Sequence, residues 1–72
     1  MSIQEVIADY ENLGCRLANM GRAKIPSGYA IMLNPDESHF FWISDDYIEG
    51  PIHWNKWEVL RMVRARSEAS DD

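Results

Sequence analysis

The sequence predicts a small α+β domain in which two helices pack on an antiparallel β-hairpin, in the order helix, strand, strand, helix. Apolar residues at helical spacing near both ends of the chain, and a run of β-forming aromatic residues divided by a turn between them, support this order. A chain of 72 residues holds one domain, which we place at residues 1–66. At this size folding buries only about 60% of the surface of the unfolded chain, so a partner subunit would add useful stability.

The first helix is predicted from about Ile3 to Met20. Ser2, followed three residues later by Glu5, is a capping-box pattern. The apolar residues that follow at helical spacing are Ile3, Val6, Ile7, Tyr10, Leu13 and Leu17. Gly21 then fits the left-handed residue that ends a helix.

Two strands, Tyr29–Leu33 and His39–Ile43, are predicted to form the hairpin. The intervening segment 34–38 has Asn and Pro in turn-initiating positions, and its length leaves the register open by one residue. Ala23–Ile25 could add a third short strand. These strands form the centre of the predicted domain.

Both faces of the hairpin are apolar, whereas a strand half exposed to water alternates with polar residues. We expect the two helices to cover one face. The aromatic side chains that would then be left for a second copy of the chain or for another protein are Tyr29, Phe40, Phe41 and Trp42. The alternative is that both faces are buried within the monomer.

The second helix is predicted to begin at Asn55, an N-cap residue with Glu58 at position N3. Trp54 and Val59 occupy the positions of a hydrophobic staple. The core stripe of this helix is Val59, Leu60 and Val63, and it fades beyond Ala65. Residues 67–72 are predicted to form an acidic, flexible tail.

Trp57, Arg61 and Arg64 follow one another at i, i+4 and i+7, which places an aromatic ring and two guanidinium groups on one side of the second helix. Tryptophan and arginine are over-represented among interface hot spots, so this stripe is a candidate contact for carboxylates or phosphates. The alternative is a solvated basic edge with Trp57 half buried.

Composition disfavours several classes of protein. The formal net charge of −5 would repel a phosphate backbone over most of the surface. Cys15 is the only cysteine, so an internal disulfide is excluded, and a reducing cytoplasmic location is expected. Neither a membrane-spanning run nor a signal-peptide pattern is present.

Catalytic and metal-binding patterns are also missing. The acidic residues of the loops, together with His39 and His53, match no known metal-ligand spacing, and no serine or cysteine lies in a nucleophile motif. A chain this small is also expected to lack room for a pocket of several hundred Å³. We therefore expect no enzyme activity, no cofactor and no metal.

The sequence thus favours a non-enzymatic protein-binding or regulatory domain. We expect a homodimer formed through the hairpin aromatics, with the Trp57, Arg61 and Arg64 stripe as a second contact. The alternative is a nucleic-acid-associated accessory domain that presents the second helix. Small size, acidity and aromatic content are compatible with bacterial or phage accessory proteins.

Overall fold

The chain folds as a three-stranded antiparallel sheet between two helices. In a computed structural model, which describes residues 2–69, the elements are α1 (Ile3–Asn12), β1 (Arg16–Leu17), β2 (Tyr29–Leu33), β3 (Phe40–Ser44) and α2 (Lys56–Ala69). The strands lie in the order β1-β2-β3. The predicted α+β class and the central hairpin are confirmed.

The hairpin has a single register, in which Tyr29 pairs with Ser44 and Leu33 pairs with Phe40. β2 has the predicted bounds, and β3 begins and ends one residue later than predicted. The turn is closed by the amide of Asn34, which donates to the carbonyl of His39 at 2.9 Å. His39 therefore belongs to the turn, because its carbonyl closes the loop.

The first helix ends at Asn12, so the prediction of a helix to Met20 was wrong. Gly14 adopts a φ of +97°, a left-handed conformation that glycine tolerates and that a continuing helix excludes. The amide of Cys15 turns back and donates to the carbonyl of Tyr10 at 3.1 Å. The chain then leaves the helix in an extended direction.

The third strand comes from a different segment than predicted. β1 pairs with β2 at Arg16 and Leu17, and the amide of Ala18 extends this pairing by donating to the carbonyl of Ile31 at 2.9 Å. The residues from Ala23 to Ile25, which were predicted as the extra strand, form no strand. Helical spacing of Leu17 was therefore misleading, because that residue lies in the sheet.

One helix covers each face of the sheet, so the expectation of an uncovered apolar face was wrong. The core between α1 and the sheet consists of Val6, Ile7, Cys15, Ala30, Met32, Phe41 and Ile43. The core between α2 and the sheet consists of Met20, Ile31, Trp42, Val59, Leu60 and Val63. Ala23 and Ile25 pack partly buried against the second core, so the segment after β1 helps α2 to cover its face.

The outer edge of β3 is covered by the segment that precedes α2. His53 and Phe40 exchange two backbone hydrogen bonds of 2.7 Å, and the amide of Gly50 donates to the carbonyl of Trp42 at 2.9 Å. Between the bridges of Ile43 with Glu49 and of Phe40 with His53, residues 50–52 oppose only residues 41 and 42. This is a β-bulge, and it contains Pro51, which has no amide to pair.

The second helix continues to Ala69, so residues 67–69, which were assigned to the tail, are helical. The guanidinium of Arg66 lies 4.8 Å from the ring centre of Trp42 and so links the C-terminal half of α2 to the sheet. The remainder of the predicted acidic tail, residues 70–72, lies outside the described residues.

The loop after β3 is attached to α1 by two tyrosine–carboxylate hydrogen bonds. The hydroxyl of Tyr10 donates to Oε1 of Glu49 at 2.9 Å, and the hydroxyl of Tyr47 donates to Asp9. Burial and the Glu49 carboxylate raise the pKa of Tyr10 from 10.0 to about 12. The hydrogen bond to Asp9 also raises the pKa of Tyr47.

Substitution of Gly50 should destabilise the fold strongly. A Cβ atom on Gly50 would lie 2.1 Å from Nε1 of the buried Trp42 ring, which has no room to move away. We expect Gly50→Ala to lower the free energy of unfolding by about 3 kcal/mol in urea titrations. Gly21→Ala is the control: no atom lies within 4 Å, and only its φ of +61° opposes the change, at about 1 kcal/mol. Equal losses would contradict this explanation.

The protein should lose stability at alkaline pH. Because the fold favours protonated Tyr10, its contribution is fully present below pH 10.0 and is lost as the pH rises towards about 12. Urea midpoints of the wild type should therefore fall over this range. Tyr10→Phe should make the decline shallower, and Tyr10→Phe combined with Tyr47→Phe shallower still. An identical decline in all three proteins would show that these hydroxyls do not cause it.

Candidate functional site

The predicted stripe lies on the outside of α2. We call Trp57, Arg61 and Arg64 the Trp–Arg stripe. The side chain of Trp57 is 52% exposed, and both arginines are exposed, while the core residues of α2 lie on its other side. Nη2 of Arg61 is 3.5 Å from a carboxylate oxygen of Glu58. This ion pair is exposed to water, so it contributes little to stability and can exchange for a partner's carboxylate.

A side-chain cap holds the backbone of Trp57 in place at the start of α2. The side-chain Oδ1 of Asn55 accepts a hydrogen bond from the amide of Trp57 at 2.9 Å, which confirms the predicted N-cap. The amide of Asn55 donates to Nδ1 of His53 at 3.0 Å, so His53 takes the role expected of Glu58 in a capping box. Asn55 therefore accepts a hydrogen bond from the first turn of α2 through its side chain and donates one to His53 through its amide.

Trp54 does not take the predicted staple position. Trp54 is 71% exposed and its ring contacts that of His39 in a tilted arrangement, with ring centres 4.0 Å apart, whereas Val59 is completely buried in the core. The imidazole of His39 also contacts the hydroxyl of Ser38 at 2.9 Å. Trp54 thus covers the end of the hairpin rather than the N-terminus of α2.

A surface groove of about 390 Å³ lies between α1 and the edge of β2 and is open to solvent, so the expectation that the chain cannot enclose a pocket of several hundred Å³ stays a prediction. β1 has two residues and β2 has five, so β2 extends past its paired neighbour at Tyr29, whose amide donates to the carbonyl of Pro26 at 3.3 Å. The apolar side chains that line the groove include Ile3, Ile7, Leu17, Met20, Ala23 and Ile25. Gln4 and Asn19 add amide groups to its lining.

Lys56 connects the groove to the Trp–Arg stripe. Its ammonium group donates to the carbonyl of Asn19, which lines the groove, and lies 5.5 Å from the ring centre of Trp57. The groove and the stripe therefore form one continuous surface, which we call the groove–stripe surface. Sequence reasoning identified the stripe but missed the groove, because Ile3 and Leu17 were both assigned to one buried helical stripe.

The hairpin aromatics do not form one contact surface. Tyr29 is half buried, lines the groove and meets Trp42 edge-on at 5.9 Å. Phe40 is half buried on the α2 face, and Phe41 is buried on the α1 face against Tyr10. Trp42 is buried in the core on the α2 face. Of these four predicted contact residues, only Tyr29 lies at the groove–stripe surface.

Basic and acidic residues are concentrated in different parts of the fold. Within residues 2–69, α2 and the segment packed beside it carry six basic residues, Arg22, Lys24, Lys56, Arg61, Arg64 and Arg66, against Glu58 and Glu68. α1 and the loops at both ends of the hairpin carry eight acidic residues, Glu5, Asp9, Glu11, Asp36, Glu37, Asp45, Asp46 and Glu49. α1 contributes the uncharged side chains of Ile3, Gln4 and Ile7 to the groove.

Three features of the described residues bear on metal binding, thiol chemistry and membrane insertion. Among residues 2–69, no group of three or more His, Cys, Asp or Glu side chains is placed to hold a metal ion. Burial, together with the charge of Glu49, raises the pKa of the Cys15 thiol and keeps it protonated. Neither helix, as far as the structure describes it, has the length and apolar character needed to cross a membrane.

The N-cap of α2 should contribute more to stability than that of α1. Asn55→Ala removes the hydrogen bond to the Trp57 amide and should lower the free energy of unfolding by about 1 kcal/mol. Ser2 is the matched control, because it occupies the N-cap of α1 without a side-chain hydrogen bond, and Ser2→Ala should have almost no effect. Both values can be measured by urea denaturation followed by circular dichroism. A larger loss for Ser2→Ala would contradict the cap assignment.

The chain was compared with known proteins by sequence and by structure. It matches no protein-family model, no curated protein and no solved structure. Its function must therefore be argued from the contacts and charges of the groove–stripe surface.

Proposed function

We propose that the chain is a non-enzymatic protein-binding domain and that the groove–stripe surface is its contact site. The observation that carries this proposal is the position of Trp57, a half-exposed indole between a groove of mixed polar and apolar lining and two exposed arginines. Aromatic and arginine side chains that surround a pocket are the usual centre of a protein interface. Burial of the exposed part of Trp57 by a partner would gain roughly 25 cal/mol per Å².

The groove supports a protein partner rather than a nucleic acid. Ile3 and Leu17 present aliphatic side chains that suit an apolar side chain of a partner, and Gln4 and Asn19 beside them offer amide groups for its backbone. The basic residues of the stripe would then pair with carboxylates at the rim of the interface.

The nucleic-acid alternative rests on the same basic side of the molecule. Trp57 could stack on a base, and Arg61 and Arg64 could contact phosphates. The eight acidic residues of α1 and the hairpin loops oppose this by repelling the rest of a polyanion. We propose that the protein acts in the cytoplasm, where its single buried cysteine would stay reduced.

The proposal can be tested by capture of partners from an extract of the source cells. We expect the wild type to retain one or more proteins that the triple variant Trp57→Ala, Arg61→Ala, Arg64→Ala retains at least tenfold less. The matched control is Leu13→Ala with Arg16→Ala, which alters an exposed apolar side chain and a basic side chain outside the Trp–Arg stripe. Circular dichroism should show that all variants are folded.

Two outcomes would contradict protein binding at this site. Equal capture by the wild type and the stripe variant would show that the contact lies elsewhere. Loss of capture after nuclease treatment of the extract would show that nucleic acid is what the stripe binds.

A further inference from the structure

We propose that His53 is a pH-sensitive latch: its neutral imidazole holds the first turn of α2 against the edge of the sheet, and protonation releases that turn. The latch goes beyond the proposed function, because it concerns how the unbound chain responds to acid. Its effect on partner binding rests on the proposed function, since Trp57 in the same turn belongs to the groove–stripe surface.

The hydrogen bond of the latch can run in one direction only. The amide of Asn55 donates to Nδ1 of His53 at 3.0 Å. A backbone N–H group donates and never accepts, so Nδ1 must accept, and the ring must be neutral with its proton on Nε2. A protonated imidazole carries a hydrogen on both nitrogens and cannot accept. Protonation therefore breaks this hydrogen bond and points two N–H groups at each other.

His53 joins the sheet to the first turn of α2. Its backbone is held by the two hydrogen bonds of 2.7 Å that it exchanges with Phe40 of β3. Its ring holds the amide of Asn55, and Oδ1 of Asn55 holds the amide of Trp57 at 2.9 Å. These contacts form a series from the sheet to the helix. Within the series, His53 is the member whose side chain gains a proton near neutral pH.

The charged groups on the neighbouring elements offer no carboxylate to a protonated His53. Within residues 2–69, no ion pair includes this histidine. Lys56 and the N-terminal amides of α2 add positive charge to the first turn, and Glu58 is occupied in an exposed ion pair. On the segment that covers β3, Glu49 accepts a hydrogen bond from Tyr10 of α1. A proton on His53 is therefore uncompensated where the cap is formed.

The second histidine responds to acid in the opposite way. Nδ1 of His39 lies 3.4 Å from a carboxylate oxygen of Asp36, so protonation of His39 completes an ion pair. Hydrogen bonds from Ser38 hold the pKa of Asp36 below its usual value, so this carboxylate stays charged in mild acid. Acid therefore strengthens the hairpin turn while it loosens the cap of α2.

Release of the latch changes the groove–stripe surface without unfolding the helix. Val59 and Leu60 are buried in the core, so the rest of α2 stays packed on the sheet. Lys56 and Trp57 precede these two residues and lie in the turn that the cap holds. A partner that needs a fixed Trp57 should therefore bind more weakly as the pH falls.

Nuclear magnetic resonance of the unbound chain tests the latch. Spectra of the ring nitrogens should show His53 protonated on Nε2 alone at about pH 7.5. Amide hydrogen exchange, corrected for the intrinsic effect of pH, should show weaker protection of Asn55 and Trp57 at about pH 5.5. The expected loss is about fivefold, which corresponds to one net hydrogen bond. The amide of the buried Val63 should keep its protection.

Matched variants separate the acceptor from its charge. His53→Asn keeps an acceptor oxygen at the position of Nδ1 but does not titrate, so the cap should be protected equally at both pH values. His53→Leu removes the acceptor and should show the weaker protection at both. His39→Asn is the control and should respond to pH like the wild type. Circular dichroism should show that all variants are folded.

Three results would overturn the latch: a proton on Nδ1 of His53 in the neutral protein, a cap unchanged by acid, and a pH response that His53→Asn retains. Partner capture at both pH values tests the effect on binding. The wild type should retain at least threefold less protein in acid, relative to His53→Asn, and an equal ratio would overturn that effect. If the proposed function itself fails, the resonance data on the unbound chain still decide the latch.

Discussion

The structure depends on one constraint: the strands of the hairpin are apolar on both faces, and residues 2–69 form two helices to cover them. Each face therefore receives one helix, with Val6 and Ile7 of α1 on one side and Val59 and Val63 of α2 on the other. α2 alone does not complete its side, so Met20, Ala23 and Ile25 fill the remainder. This division determines where the chain must turn and which surfaces are left open.

The groove follows from the same division. The chain must cross from the α1 side to the α2 side of the sheet between Asn12 and Met20, and this crossing limits β1 to two residues. β2 is longer than its neighbour, so part of its edge is left without a paired strand and borders the groove. At the opposite edge, the bulged segment containing Pro51 shields β3. A strand edge that is shielded in this way does not pair with another chain.

Local signals in the sequence predicted the features that depend on local chemistry. The bounds of β2, the cap at Asn55 and the buried residues of α2 follow from strand propensity, hydrogen bonding at a helix end and helical spacing. The end of α1 was missed because Leu13 and Leu17 continue the helical spacing by coincidence, while Gly14 alone marks the break. The allocation of helices to faces, and the contact of Gly50 with Trp42, could not be predicted, since both depend on residues distant in sequence.

The contact residues proposed here are separable from those that hold the fold together. The cap of α2 uses the backbone amide of Trp57, and the core of α2 is complete with Val59, Leu60 and Val63. The indole therefore contributes to neither, and its ring is approached by Lys56 from the groove side. Arg61 is exposed, and its ion pair is with Glu58, one turn away on the same helix. Because the fold gains so little from these side chains, changes to the stripe should alter binding without altering the core, whereas changes to Phe41 or Trp42 would alter the core itself.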